Sequence, residues 1–64
     1  MSPEQARELQ EFVLSRLTMF PRAEVSVTAR PGGAVVKAKL EADEDEFEIE
    51  DDELERFRLQ IGVL

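Results

Sequence analysis

Ala6, Leu9, Val13 and Leu17 follow one another at spacings of three and four, with Phe12 and Phe20 flanking the same stripe, and this period predicts an amphipathic helix. Ser2-Pro3-Glu4-Gln5 supplies its start. The serine hydroxyl accepts from free N–H groups, the proline has no N–H to leave unpaired, and Gln5 stands three residues after the cap, as in a capping box. The helix is expected over about residues 3–19, because Pro21 disfavours helical geometry at Phe20. From Arg22 to Arg30 the period drops to two, with Val25, Val27 and Ala29 on one side and Ser26, Thr28 and Arg30 on the other, which predicts a strand. Pro31-Gly32-Gly33 has the chemistry of a tight turn. Alternation then resumes from Ala34 to Glu41, with Val36, Ala38 and Leu40 inward and Lys37 and Lys39 outward, and a bulge at Gly33 is expected to reconcile the two parities.

A third strand is expected over Glu46 to Glu50, with Phe47 and Ile49 facing the core, after a loop from Ala42 to Asp45. In that arrangement Leu40 faces Phe47, Lys39 faces Glu48 and Lys37 faces Glu50. The last stretch supports two readings. Asp51 as a cap and Leu54, Phe57 and Ile61 as a stripe make a helix, whereas Phe57, Leu59, Ile61 and Val63 alternate as a fourth strand would. The expected fold class is α+β, a single domain over residues 1–64 in the order α-β-β-β-α around an antiparallel three-stranded meander, with α-β-β-β-β as the alternative.

A chain of 64 residues buries only about 60% of the surface its unfolded form exposes, so its core is small, and without cysteine no disulfide reinforces it. Self-association is then the remaining reinforcement, and exposed apolar area on Met19 or Leu64 is where a homodimer is expected to form. The early acids Glu4, Glu8 and Glu11 break up any secretory apolar core, and no apolar run approaches the roughly 20 residues of a membrane helix, so a soluble, cytoplasmic protein is expected. The absence of His, Cys, Tyr and Trp removes the usual base near neutral pH, the thiol nucleophile and most transition-metal ligands. Counted from Asp43, a calcium loop would need glycine at Glu48 and glutamate at Leu54, so that pattern fails. No catalytic residue, cofactor or metal is expected.

The helix-first order resembles that of double-stranded-RNA-binding domains in element sequence and length. Those domains grip phosphates with bases at the start of their last helix, where this chain has Asp51-Asp52-Glu53. The opening helix and hairpin are similar to a KH domain, yet no GXXG loop occurs. Direct nucleic-acid binding is therefore not expected.

Charge is divided sharply along the chain. Residues 1–40 carry six bases and four acids, whereas residues 41–64 carry two bases and eleven acids, for a net −7. All eleven acids fall between Glu41 and Glu55. Asp51, Asp52, Glu53 and Glu55 suit a helix N-terminus, and Glu48 and Glu50 gain cross-strand lysines. Glu41, Asp43, Glu44, Asp45 and Glu46 remain, gathered around the expected loop with no base within reach along the chain, and are the candidate partner-binding residues. Fully extended, the run carries a charge every 4.5 Å or so, against about 3.4 Å along one DNA strand. In size and charge the chain is similar to the nucleic-acid-mimicking inhibitors of phages and mobile elements. That resemblance implies a non-enzymatic module occupying a basic surface of a partner protein, such as a nucleic-acid-binding one. The alternative is a structural or accessory domain, natural or designed, whose acidity serves solubility.

Overall fold

The capping box forms as the sequence requires. In the computed structural model, which describes residues 1–63, the Gln5 N–H donates to Ser2 Oγ at 3.2 Å and the Ser2 N–H donates to Gln5 Oε1 at 2.9 Å. Helix α1 runs Pro3–Arg16 and buries Ala6, Leu9 and Val13, with Leu17 joining them just past its end. It stops short of the expected Met19. The Leu17 N–H reaches the Leu14 carbonyl (3.1 Å), Phe20 reaches Leu17 (3.0 Å) and Ala23 reaches Phe20 (2.9 Å), so three tight turns carry the chain into the sheet.

Strands β1 (Glu24–Arg30), β2 (Gly33–Leu40) and β3 (Asp43–Glu50) form an antiparallel sheet in the order β1-β2-β3. Val27 lies opposite Val36 and Arg30 opposite Gly33, which leaves Pro31-Gly32 as a two-residue turn. Gly32 has a φ of +78°, the sign that the second central position of a type II turn needs after proline. The expected bulge at Gly33 does not occur. Pairing across a two-residue turn sets odd-numbered residues of β1 opposite even-numbered residues of β2, so the inward sets already match. Gly33 is required for another reason: a Cβ there would stand 2.1 Å from the Ile49 carbonyl oxygen and 3.1 Å from Glu50 Cα.

On the inner face Val25 and Val27, Ala34 and Val36, and Ile49 close over Ala6, Leu9, Val13 and Leu17 to make the core. After β3 a single 3₁₀ turn over Asp51–Glu53 leads into helix α2 (Leu54–Gly62), so the final element is the helix and not the fourth strand. Leu54, Phe57 and Ile61 pack on the core, while Leu59 (69% exposed) and Val63 (85%) point away from it. A strand would have had to turn Leu59 and Val63 to the same side as Phe57.

Asp51 is not the cap. Glu50 precedes the helical turn and donates its N–H to the Glu53 carboxylate (3.3 Å), whereas the Asp51 N–H donates to the Gly32 carbonyl (2.9 Å) and ties β3 to the first turn. The Asp51 carboxylate pairs with the N-terminal ammonium at 3.2 Å.

The two helices run in the same direction. Arg58 lies over the Phe12 ring, 5.1 Å from its centroid, and four residues further along each helix Arg16 donates to the Gly62 carbonyl. Phe47 faces inward as expected, but it is 40% exposed and meets only the edge of the helical layer, with its ring 5.7 Å from that of Phe57. No helix among the described residues is long and apolar enough to cross a membrane.

The acidic hairpin as candidate functional site

Glu41 decides the geometry of this site. It has a φ of +54°, the only positive value among described non-glycine residues, and with Leu40 opposite Asp43 it opens a two-residue turn with Ala42. A positive φ at the first central position alone is the sign pattern of a type II′ turn, whose twist suits a hairpin. The loop expected over Ala42 to Asp45 is therefore strand from Asp43 onward.

A left-handed backbone at a residue with a Cβ costs about 1–2 kcal/mol. Glu41→Gly is expected to raise stability by about 0.5–1 kcal/mol after glycine's own entropy loss, while Glu41→Gln removes the same charge without relieving the backbone and should gain less. Urea unfolding of the two variants side by side distinguishes strain from charge.

The short turn moves the register by four residues. Lys39 lies opposite Glu44 and Lys37 opposite Glu46, instead of opposite Glu48 and Glu50. Lys37 Nζ is 4.0 Å from Glu46 Oε2, and the Arg30 guanidinium reaches across the sheet to the Glu48 carboxylate. All these groups are solvent-exposed, so each pair contributes on the order of 0.2–1 kcal/mol. Glu44 and Glu46, which the sequence leaves without a base, thus face lysines on the outer side of the sheet.

Asp43 and Asp45 take the other face, opposite Leu40 and Ala38, where the helical layer no longer covers the sheet and both are exposed. The five candidates do not form one loop. Glu41, Asp43 and Asp45 lie toward the turn end of the hairpin with no ion pair among the described residues, and Glu44 and Glu46 sit across the sheet from them beside Lys39 and Lys37.

β3 is also an edge strand. The Val27 N–H donates to Gln10 Oε1 at 3.1 Å, so on β1 the odd-numbered backbone groups face the open edge, and α1 guards that edge with Gln10. Carried across the two ladders, this alternation turns the backbone groups of Glu44, Glu46, Glu48 and Glu50 toward the open edge of β3. The Glu50 N–H is indeed taken there by Glu53. Glu44, Glu46 and Glu48 carry their charges on that rim, which discourages a second copy from pairing.

Two further features lie away from the hairpin turn. Carboxylate oxygens of Glu50, Asp52 and Glu53 come within 4.8 Å of one another, all on exposed residues, a spacing that acidic surfaces show without an ion. An open groove of about 680 Å³ lies along α2, with Phe12 its one lining residue from α1, and is otherwise lined by Leu54, Leu59 and Val63 together with Asp51, Glu55 and Arg58. Sequence reasoning missed it. The available signal was that Leu59 and Val63, four residues apart, fall off the Leu54–Phe57–Ile61 stripe once the segment is taken as a helix. Of the two residues named for a homodimer, Met19 is exposed and Leu64 lies outside the described residues. Comparison with known protein families, with curated proteins and with solved structures finds no match to this chain.

Proposed function

We propose that the protein is a non-enzymatic acidic interaction module, in which Glu41, Asp43 and Asp45 at the end of the β2–β3 hairpin meet a basic patch on a partner protein. The observation that carries this reading is the asymmetry within one strand. On the outer face Glu44, Glu46 and Glu48 lie beside lysine or arginine, whereas the three carboxylates at the turn form no ion pair among the described residues, Arg22 lining the same surface hollows as Glu41 without bonding it. A like-charged group costs repulsion wherever it is not compensated, and a basic partner removes that cost. The pairing on the outer face leaves a short acidic tip and not a continuous phosphate-like row. The partner surface is accordingly a compact Lys/Arg patch, and a protein that binds nucleic acid there would be competed off its ligand.

A solubility role is favoured by one specific observation, the acidic rim on the open edge of β3. Both roles are separable by experiment. Binding of an oligo-arginine peptide is measured by calorimetry for the native chain, for Glu41→Gln/Asp43→Asn/Asp45→Asn, and for Glu4→Gln/Glu8→Gln/Glu11→Gln, which removes the same charge from α1. The tip variant is expected to lose about tenfold in affinity at low salt, from three exposed pairs at up to about 0.5 kcal/mol each, and the α1 variant about twofold or less. Equal losses in both would show that only net charge matters, and would leave solubility as the function of the acids.

A further inference from the structure

We propose that the open edge of β3 is a strand-addition site, and that its occupant is an extended segment of another protein with lysine or arginine at alternate positions. This goes beyond the tip reading, because main-chain groups and not the three turn carboxylates make the contact. The two edges of the sheet differ. On β1 the outward N–H of Val27 is taken by Gln10, so a side chain of α1 occupies that edge. On β3 the residues that bond β2 are Asp43, Asp45, Phe47 and Ile49, and the N–H and C=O groups of Glu44, Glu46 and Glu48 point away from the sheet. The Glu50 N–H closes the end of that row on the Glu53 carboxylate, and Glu44 to Glu48 leaves about 13 Å of extended main chain as a template. An added strand gains affinity from such main-chain groups and specificity from its alternate side chains.

Charge selects the occupant. β3 carries six acids and no base, and the bases beside it are Lys37, Lys39 and Arg30, so negative charge stays in excess along the strand. Those three bases approach Glu44, Glu46 and Glu48 from the β2 side. Each of these carboxylates is exposed and has two oxygens, so it can accept a second base from the open side. On the inner side Asp43 and Asp45 form no ion pair among the described residues, and Phe47 is left partly exposed beside the same edge. An incoming strand that sets an apolar side chain opposite Phe47 and bases opposite the glutamates matches both faces. A second copy of this chain would instead bring six acids against six, which opposes the pairing that a basic strand favours.

The test is amide hydrogen exchange of the native chain with a peptide of alternating lysine and threonine that has one leucine among the threonines, at about 150 mM salt where exposed charges are screened beyond about 8 Å. In the free chain the amides of Asp45, Phe47 and Ile49 should exchange slowly and those of Glu44, Glu46 and Glu48 fast. Near saturation the peptide is expected to slow the last three by about tenfold. Glu46→Pro, which removes an outward N–H and no bond to β2, is expected to bind the peptide about tenfold more weakly than Glu46→Gln, which removes the same charge. If Glu46→Pro does not fold, exchange in the native chain decides alone. The tip variant Glu41→Gln/Asp43→Asn/Asp45→Asn is expected to keep the slowing near saturation, so failure of the tip reading and failure of the edge reading give different results. Absence of binding, binding that leaves the three amides fast, or equal affinities of the folded Glu46 variants overturns the proposal. So does protection of those amides that grows with the concentration of the chain alone, because a second copy would then occupy the edge.

Discussion

Gly33→Ala is expected to destabilise the protein by about 3 kcal/mol or more. The Cβ it adds would stand 2.1 Å from the Ile49 carbonyl oxygen and 3.1 Å from both the Ile49 carbonyl carbon and Glu50 Cα, all of them backbone atoms. Backbone of a paired strand cannot swing aside as the end of a side chain does. Gly33 is paired on both sides, with Arg30 and with Glu50, so relief requires breaking the end of one ladder or the other. The cost is about 3 kcal/mol or more, against a total stability of roughly 3–10 kcal/mol for a chain of this length. Gly32 makes the comparison informative. It has the unusual φ of +78° but nothing within 4 Å of the place an added methyl would take, so Gly32→Ala should cost only about 1–2 kcal/mol. Thermal and urea unfolding of both variants should therefore rank the glycine of ordinary φ as the more damaging one. A Gly33→Ala protein as stable as the native chain would mean that β3 does not approach β2 as described.

Leu9→Ala is the second large effect. Leu9 is 3% exposed in the middle of the α1 stripe, and its truncation should cost about 2–5 kcal/mol as lost burial plus a residual cavity. The core has little reserve, since its other members are alanines, valines, Leu17 and Ile49. Leu14→Ala provides the control within the same helix. Leu14 is 36% exposed, so the same substitution with the same change in helix propensity should cost about 1 kcal/mol or less. Comparable urea midpoints for the two variants would contradict the assigned face of α1.

What was legible in the sequence was what is decided locally. The capping box and the stripe Ala6–Leu9–Val13–Leu17 lie within one helix and specify it without reference to the rest of the chain. The alternation of β1 and β2 was equally plain. The register of the second hairpin was not, because register follows from turn length, and Glu41 adopts a positive φ that glycine or asparagine would have signalled and glutamate does not. Asp43-Glu44-Asp45 reads as a loop on β propensity, yet it forms strand against Leu40, Lys39 and Ala38, with Lys39 opposite Glu44.

For the candidate site, residue type and location were legible but the division between faces was not. A side-chain period of two sends Asp43 and Asp45 to one side and Glu44 and Glu46 to the other as soon as the segment is extended. Phe47 shows the limit of pattern reading in another way. Alternation gives its face correctly, but its exposure depends on how far α2 reaches over β3, which no local pattern states.

The central claim is that the acidity with a functional role is concentrated at the hairpin turn, and shift mapping tests it residue by residue. Titrating the ¹⁵N-labelled chain with an oligo-arginine peptide at low salt should move the amide signals of residues 41–46 most, with smaller changes along the ladder at Lys37 and Lys39. Shifts spread evenly over Glu4, Glu8, Glu11 and the whole of β3, or centred elsewhere on the molecule, would contradict it.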